Sequence, residues 1–212
     1  MGSLLGPIQL SCLSVFFGLL VGRAVHLKRT QGVNVFTIAQ GKRGLPWIAE
    51  LLFVPIGTAW TAEVVLYALG SSFRLFPSPL DSRLFDSNVM QAVGILCLVA
   101  ALVLFTAALI AFGNSWRVGI DEDRPGDLVR SGVFAYSRNP IFVCMDLYLL
   151  GTFLVNGSAI FLLFAVLFAA GIHYQILQEE RFLSVRYGAA YADYCRTTGR
   201  YFGGRLVPGK LC

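Results

Sequence analysis

The chain of 212 residues is 56% hydrophobic and only 14% charged, with a mean hydropathy of +0.68, where an ordinary globular domain carries roughly 25% charged residues. Apolar runs of about 20 residues, each long enough for a helix to cross the hydrocarbon layer, carry that composition, and it excludes a soluble enzyme, a disordered chain and a nucleic-acid module. The excess of 17 Lys and Arg over 12 Asp and Glu therefore reads as loop charge that orients the chain in a membrane.

The first apolar run, Leu4 to Leu27, has Arg23, Lys28 and Arg29 at its far end. That is opposite to a secretory leader, so the run is kept as a span. The second, Trp47 to Gly70, contains Pro55 and the acids Glu50 and Glu63, and the third, Val89 to Phe112, is 24 residues without a charge. Ile141 to Val155 is short. Asn156-Gly157 then supplies a turn that tolerates positive φ, and Ser158 to Ile176 runs back, which predicts a re-entering or fully spanning helical hairpin. The expected fold is all-α, an integral membrane bundle of about five helices. Residues 1–112 hold three spans, and residues 113–212 hold a loop, the hairpin and a tail.

Lys and Arg number five from Arg23 to the start of span two, two in the next loop, four before the hairpin and six after it. Segments that share a side hold 15 of the 17, so the positive-inside rule places the amino terminus outside and the carboxyl terminus in the cytoplasm. The loop Gly113 to Asn139 and the tail Leu177 to Cys212 then meet at the cytoplasmic face. Cys12, Cys97, Cys144, Cys195 and Cys212 are odd in number and include no C-x-x-C pair, so they read as free thiols and not as a disulfide framework or zinc knuckle. Two histidines without an H-E-x-x-H or clustered carboxylates give no expectation of a metal.

The loop and the tail are where chemistry is to be sought. Gly126 to Pro140 mixes glycines with Arg138 directly before Asn139-Pro140, a step that forces extended geometry ahead of a helix start. A solvated loop explains these residues equally well. The tail continues span five, with Gln175, Glu179 and Arg186 near one helical face and Tyr187-Gly188 as a stop. Glu179 and Glu180 can be a water-facing helix end. Alternatively, a carboxylate there can accept hydrogen bonds from ribose hydroxyls or an amine.

In order and spacing, Leu128-Val-Arg-Ser-Gly-Val-Phe134, Arg138-Asn-Pro-Ile-Phe142, Glu179-Glu180 with Leu183, and Tyr187-Gly-x-x-Tyr191-x-x-Tyr194 resemble the isoprenylcysteine carboxyl methyltransferases and their phospholipid methyltransferase relatives. The resemblance covers roughly 90 of the 212 residues. It implies that residues 113–212 are a catalytic region using S-adenosylmethionine, in a cytoplasmic pocket formed by the loop and the tail. A lipophilic or prenylated substrate would enter from the bilayer, with membrane lipids as surroundings and neither nucleic acid nor metal as partner. By the same likeness Asp127, Leu128, Val129, Phe134, Asn139, Pro140, Ile141, Phe142 and Glu179 hold the cofactor, while Arg138, Gln175 and Glu180 serve the reaction.

Three positions depart from the family pattern. Asn139 stands where histidine is common, which keeps a neutral hydrogen-bonding group but not a titrating one. Phe134 and Phe142 replace tyrosines, so ring packing is kept and two hydroxyls are lost. Gln175 stands where isoprenylcysteine members carry an arginine suited to a substrate carboxylate, which leans the reading toward an amine or hydroxyl acceptor with Glu179 or Glu180 as base. Two rivals remain: an NADPH-dependent membrane reductase of the sterol or steroid type, disfavoured by acidic residues at an anionic cofactor's place, and a non-catalytic scaffold or transporter subunit. Glu50, Glu63, Asp146 and His173 would mark the path of the latter.

Overall fold

The structure, a computed structural model, describes residues 2–32, 44–113 and 127–203. With no water in the bilayer to satisfy backbone groups, apolar sequence must close its own hydrogen bonds as helix. The elements are α1 (Gly2–Gln31), α2 (Leu45–Ala68), a single turn α3 (Ser78–Asp81), α4 (Asn88–Phe112), a 3₁₀ turn at Gly132–Ala135, α5 (Pro140–Asn156), α6 (Ala159–Tyr187) and α7 (Ala189–Thr197). Among the described residues there is no strand, only an isolated bridge between Arg83 and Ser158. Helices α1, α2, α4 and α6 are long and apolar enough to cross a membrane, and α5, at 17 residues, is shorter. The protein is an all-α, multi-pass membrane bundle.

Local chemistry sets the helix ends. The Ser87 side chain caps α4 by accepting from the Met90 N–H. Pro140 opens α5, where its missing N–H costs nothing. Gly157 closes α5 at φ 63°, a left-handed conformation open to glycine without penalty. The Gly157 carbonyl accepts from Leu84 at 2.7 Å, the Ala159 N–H donates to Ser82 at 3.0 Å, and a Cβ on Gly157 would lie 2.2 Å from the Phe85 carbonyl oxygen. The hairpin turn is thus stitched onto the segment that leads into α4. Helix α6 runs well past the apolar segment that ends at Ile176 and stops at Gly188, φ 52°.

Helices α4 and α5 share the most extensive packing among the described helices. A Cβ added to Gly94 would meet the Gly151 carbonyl oxygen at 2.8 Å, and one on Gly151 would meet that of Gly94 at 2.8 Å. Such small-residue contacts let dispersion and packing hold helices together where lipid removes the hydrophobic drive. Against this pair lies an aromatic cluster in which Phe16 of α1 stacks on Phe105 at 5.0 Å and meets Tyr148 at 5.3 Å. Tyr148 also receives Trp60 of α2 at 5.8 Å. At one end of the bundle the Arg23 guanidinium donates to the Gly113 carbonyl at 2.5 Å. At the other, Gln9 and Asn156 exchange amide hydrogen bonds of 3.2 and 2.9 Å.

Cys12, Cys97 and Cys144 are free. Cys195 is disulfide-bonded, which corrects the expectation of free thiols at that position: an odd count without a C-x-x-C says nothing about which chain segments meet in space.

Candidate active site

The loop before α5 and the tail after α6 meet at the Arg23 end of the bundle, and the contact is made largely by backbone. The Arg138 N–H donates to the Gly199 carbonyl at 3.0 Å, and the Asn139 amide donates to the Arg200 carbonyl at 3.1 Å. The Tyr194 hydroxyl donates to the Phe134 carbonyl at 2.6 Å. Burial pushes that hydroxyl up to about 12, against the opposing pull of Arg138 and Arg130. Helix α7 seats Tyr191, Tyr194 and Cys195 against Leu128, Leu183 and Tyr187.

Glu180 sits at the centre of this junction, 7% exposed. Its Oε1 lies 3.1 Å from Arg138 Nη2, and Arg200 approaches through Nε, 3.1 Å from each carboxylate oxygen, and Nη2, 2.7 Å from Oε2. The same hydrogen bonds raise the Arg200 guanidinium above its ordinary value. The result is one buried carboxylate shared by a cation from the loop and a cation from the tail, which ties α6, loop and tail at one point.

A cavity of about 720 Å³ opens beside this junction and continues into the bundle, within the range of small-molecule sites. Its polar end is lined by Arg138, Asn139, Gln175 and Glu179, with Phe134, whose ring meets Phe112 edge-on at 4.6 Å. Pro140, Ile141, Phe142 and Met145 form the α5 wall. Beyond Tyr148 the lining is mostly apolar and includes Phe16, Phe17 and Leu20 of α1 and Phe53 and Val54 of α2, with the hydroxyl-bearing Thr58 and Thr61 among them. Phe17 and Val54 retain substantial exposure.

Of the twelve residues singled out in the sequence, the fold brings eight to this cavity: Phe134, Arg138, Asn139, Pro140, Ile141, Phe142, Gln175 and Glu179. Asp127, Leu128, Val129 and Glu180 are not among its lining residues. Asp127 is exposed, and Leu128 packs on α7. Glu180 spends its oxygens on two guanidiniums, which leaves it no lone pair facing a substrate. Among the described residues, the tail beyond Tyr187 does not line the cavity; it meets the loop through the Gly199, Arg200 and Tyr194 hydrogen bonds. Sequence reasoning missed Arg200, whose role depends on a contact with α6, and the walls contributed by α1 and α2, whose apolar residues carry no chemical signature.

A helical membrane protein with a cavity that is charged at one end and apolar along the rest is a site for an amphipathic ligand or for two ligands of opposite polarity. Residues 89–190 match the phospholipid methyltransferase family. The chain is 31% identical over 122 residues, 56% of its length, to a protein-S-isoprenylcysteine O-methyltransferase of Schizosaccharomyces pombe, and 29% identical over 125 residues, 58% of its length, to a cobalt-zinc-cadmium resistance protein, CzcN, of Cupriavidus metallidurans. It spans about half the length of the curated relatives it matches, 51% and 57%. The matched stretch, somewhat under half of the chain, is similar to phospholipid and isoprenylcysteine methyltransferases.

Proposed function

We propose that the protein transfers a methyl group from S-adenosylmethionine to a lipophilic acceptor at the cytoplasmic face of its membrane, with the amino terminus outside and residues 113–212 as the catalytic region. One observation carries this reading: a continuous cavity joins the charged residues Arg138 and Glu179 to a mostly apolar stretch lined by α1 and α2. The donor set fits the cofactor. Glu179 suits ribose hydroxyls or a cationic centre, the amides of Asn139 and Gln175 offer neutral donors and acceptors, and Phe134 and Phe142 offer aromatic surface for a base. When bound there, S-adenosylmethionine supplies a methyl group activated by a sulfonium.

The chain's own part is to align and to exclude water, and proximity and orientation account for most of the acceleration in such reactions. Glu179, the carboxylate in the cavity wall, is the group placed to take a proton from an amine or hydroxyl acceptor. Arg138, the lining cation, is engaged by Glu180, and Gln175 is neutral. This wall favours an acceptor without a carboxylate over a prenylcysteine. It also argues against the reductase reading, because a dinucleotide phosphate would meet Glu179 and an arginine already paired.

The test is binding of S-adenosylhomocysteine and of NADPH to the full chain in detergent, followed by transfer of labelled methyl from S-adenosylmethionine to a lipid mixture. S-adenosylhomocysteine should bind and NADPH should not. Binding of NADPH alone would replace the methyltransferase reading with the reductase, and binding of neither would return the chain to a non-catalytic role.

A further inference from the structure

The cavity begins beside the polar junction and ends inside the bundle, at one level in all five helices that line it. Phe16 in α1, Ala62 in α2, Phe105 in α4, Leu149 in α5 and Phe168 in α6 are the lining residues farthest from the Arg23 end. Among the described residues none beyond that level lines the cavity, because the helices there are pressed together. The Gly94–Gly151 crossing closes α4 on α5, and a Cβ on Gly6 of α1 would lie 2.1 Å from the Ala68 carbonyl oxygen of α2. The level itself is covered by rings from four helices. Phe16 stacks on Phe105 at 5.0 Å and meets Tyr148 at 5.3 Å, and Trp60 meets Tyr148 edge-on at 5.8 Å. These rings are an apolar floor. From Glu179 to Phe168 along α6, the floor lies about 16 Å below the polar end at the rise of an α-helix.

Glycine inside a helix is unfavourable relative to alanine, so a glycine turned into the bundle calls for a reason. Gly6, Gly94, Gly151 and Gly171 have one: at each, an added Cβ would lie 2.8 Å or less from an atom of a neighbouring helix. Gly57 has none of that kind. Its Cβ would meet only the Phe168 ring, at 3.8 Å, an ordinary contact, and Gly57 lines the cavity. The missing side chain therefore leaves room in the cavity and does not admit a helix. That room lies between α2 and α6, beside the deepest lining residue of α6.

We propose that Gly57 and the ring floor of Phe16, Trp60, Phe105 and Tyr148 determine the length of apolar chain that the acceptor can carry. Building on the lipophilic-acceptor reading above, the acceptor's reactive group stays at the Glu179 end, its chain passes Gly57 between α2 and α6, and the chain's last carbon stops on the floor. Chains up to the depth of the cavity are received. Longer ones must leave methylenes in the polar end or withdraw the reactive group from it.

The experiment titrates the full chain in lipid nanodiscs with n-alkylamines from hexyl to octadecyl, each brominated on its terminal carbon, at equal mole fraction in the membrane. Binding at the floor is read as the quenching of tryptophan emission that Trp60→Phe abolishes, and labelled-methyl transfer to the same amines is followed in parallel. Wild type should show saturable quenching with an upper limit of chain length, and each methylene beyond the limit should weaken binding about fourfold. Gly57→Leu should lower the limit and weaken chains that reach the floor by about tenfold or more, with the unliganded protein melting no lower than the wild type. Phe16→Ala should raise the limit, and it decides the matter if Gly57→Leu folds poorly. Absence of saturable quenching in the wild type, affinity that climbs through octadecyl without a limit, or a limit that neither variant moves would each overturn the proposal, even with methyl transfer intact. A chain-length limit that behaves as described, in a protein that binds no S-adenosylhomocysteine and transfers no methyl group, would uphold the chain site and overturn the methyl-donor reading alone.

Discussion

Both ends of the helical bundle are tied by a network of arginine and carboxylate, but the two networks stand in different relations to empty space. At the far end Glu63, fully buried, accepts the Leu75 N–H at 3.2 Å through Oε2. Arg74 bonds Asp81 at 3.1 Å and lies 4.2 Å over the Tyr67 ring. The Tyr67 hydroxyl donates to Asp81 and shares a second hydrogen bond, 2.9 Å, with the Ser158 hydroxyl. None of these residues lines the cavity. At the Arg23 end the Arg138–Glu180–Arg200 junction places one arginine in the cavity wall with Glu179 nearby. Charge inside a membrane helix is thus used in two ways, to close a polar cap over the bundle and to present a ligand-binding wall, and only contact with a cavity tells them apart.

That distinction weakens the transporter reading. Asp146 is not among the cavity-lining residues, and His173 engages the Tyr201 hydroxyl at 2.7 Å through Nδ1. The Glu50 side chain lies outside the described residues.

The sharpest way to break the comparison is to remove the shared carboxylate. Glu180→Ala leaves two guanidiniums facing each other in a buried junction, and loss of one partner from a buried ionic group costs about 3–5 kcal/mol. A lowered melting temperature, faster proteolysis of the tail and loss of S-adenosylhomocysteine binding should follow together. A variant that melts like the wild type and still binds would show that the backbone hydrogen bonds between loop and tail suffice without the ion pairs.

Glu179→Gln acts one residue away with the opposite signature. Size is kept and the charge in the cavity wall is lost, so cofactor affinity should fall by about 1–3 kcal/mol while the melting temperature moves little. Equal binding in a calorimetric titration would return Glu179 to a solvated helix end.

The far end should respond to the reverse rule. Tyr67→Phe removes the hydroxyl from both Asp81 and Ser158, costing about 1–2 kcal/mol of stability, and S-adenosylhomocysteine affinity should be unchanged because this network does not reach the cavity. A loss of affinity at constant stability would mean that the two ends are coupled through the helices, and the separation drawn here would fall.

The sequence announced helix ends more clearly than helix faces. Asn156-Gly157, Pro140 and Tyr187-Gly188 each mark a boundary through backbone chemistry that acts locally, and each boundary falls there in the structure. The run Phe134 to Phe142 and Glu179 could be placed at one site because their order and spacing resemble a known family, while their residue chemistry alone left a solvated loop and helix end open. Arg200 as the second partner of Glu180, the Gly94–Gly151 crossing and the contribution of Phe16, Val54 and Thr58 to the cavity were not legible. Each depends on how one helix is rotated against another, and an apolar helix surrounded by lipid carries no polar stripe from which that rotation can be read. Asp127, Leu128 and Val129 are not among the described lining residues of this cavity.

The smallest expected effect probes the bond that fastens loop to tail. The Tyr194 hydroxyl, about 10 in an unfolded chain, is pushed up to about 12 in the fold, chiefly by burial. The folded state therefore favours the neutral phenol that donates to the Phe134 carbonyl. A group whose value is raised on folding contributes stability that is whole below its unfolded value and is lost as the pH climbs through its folded one. The window here is pH 10 to 12, and between pH 10 and 11 the loss should amount to about 1 kcal/mol. Melting curves of wild type and Tyr194→Phe across this window separate the effect from general alkaline denaturation. The variant should start lower, by the worth of one hydrogen bond, and lose less with rising pH, so the two curves converge. Parallel curves would mean that the Tyr194 proton is not what alkali removes from the junction, and that loop and tail are held by the Arg138, Asn139 and Glu180 contacts alone.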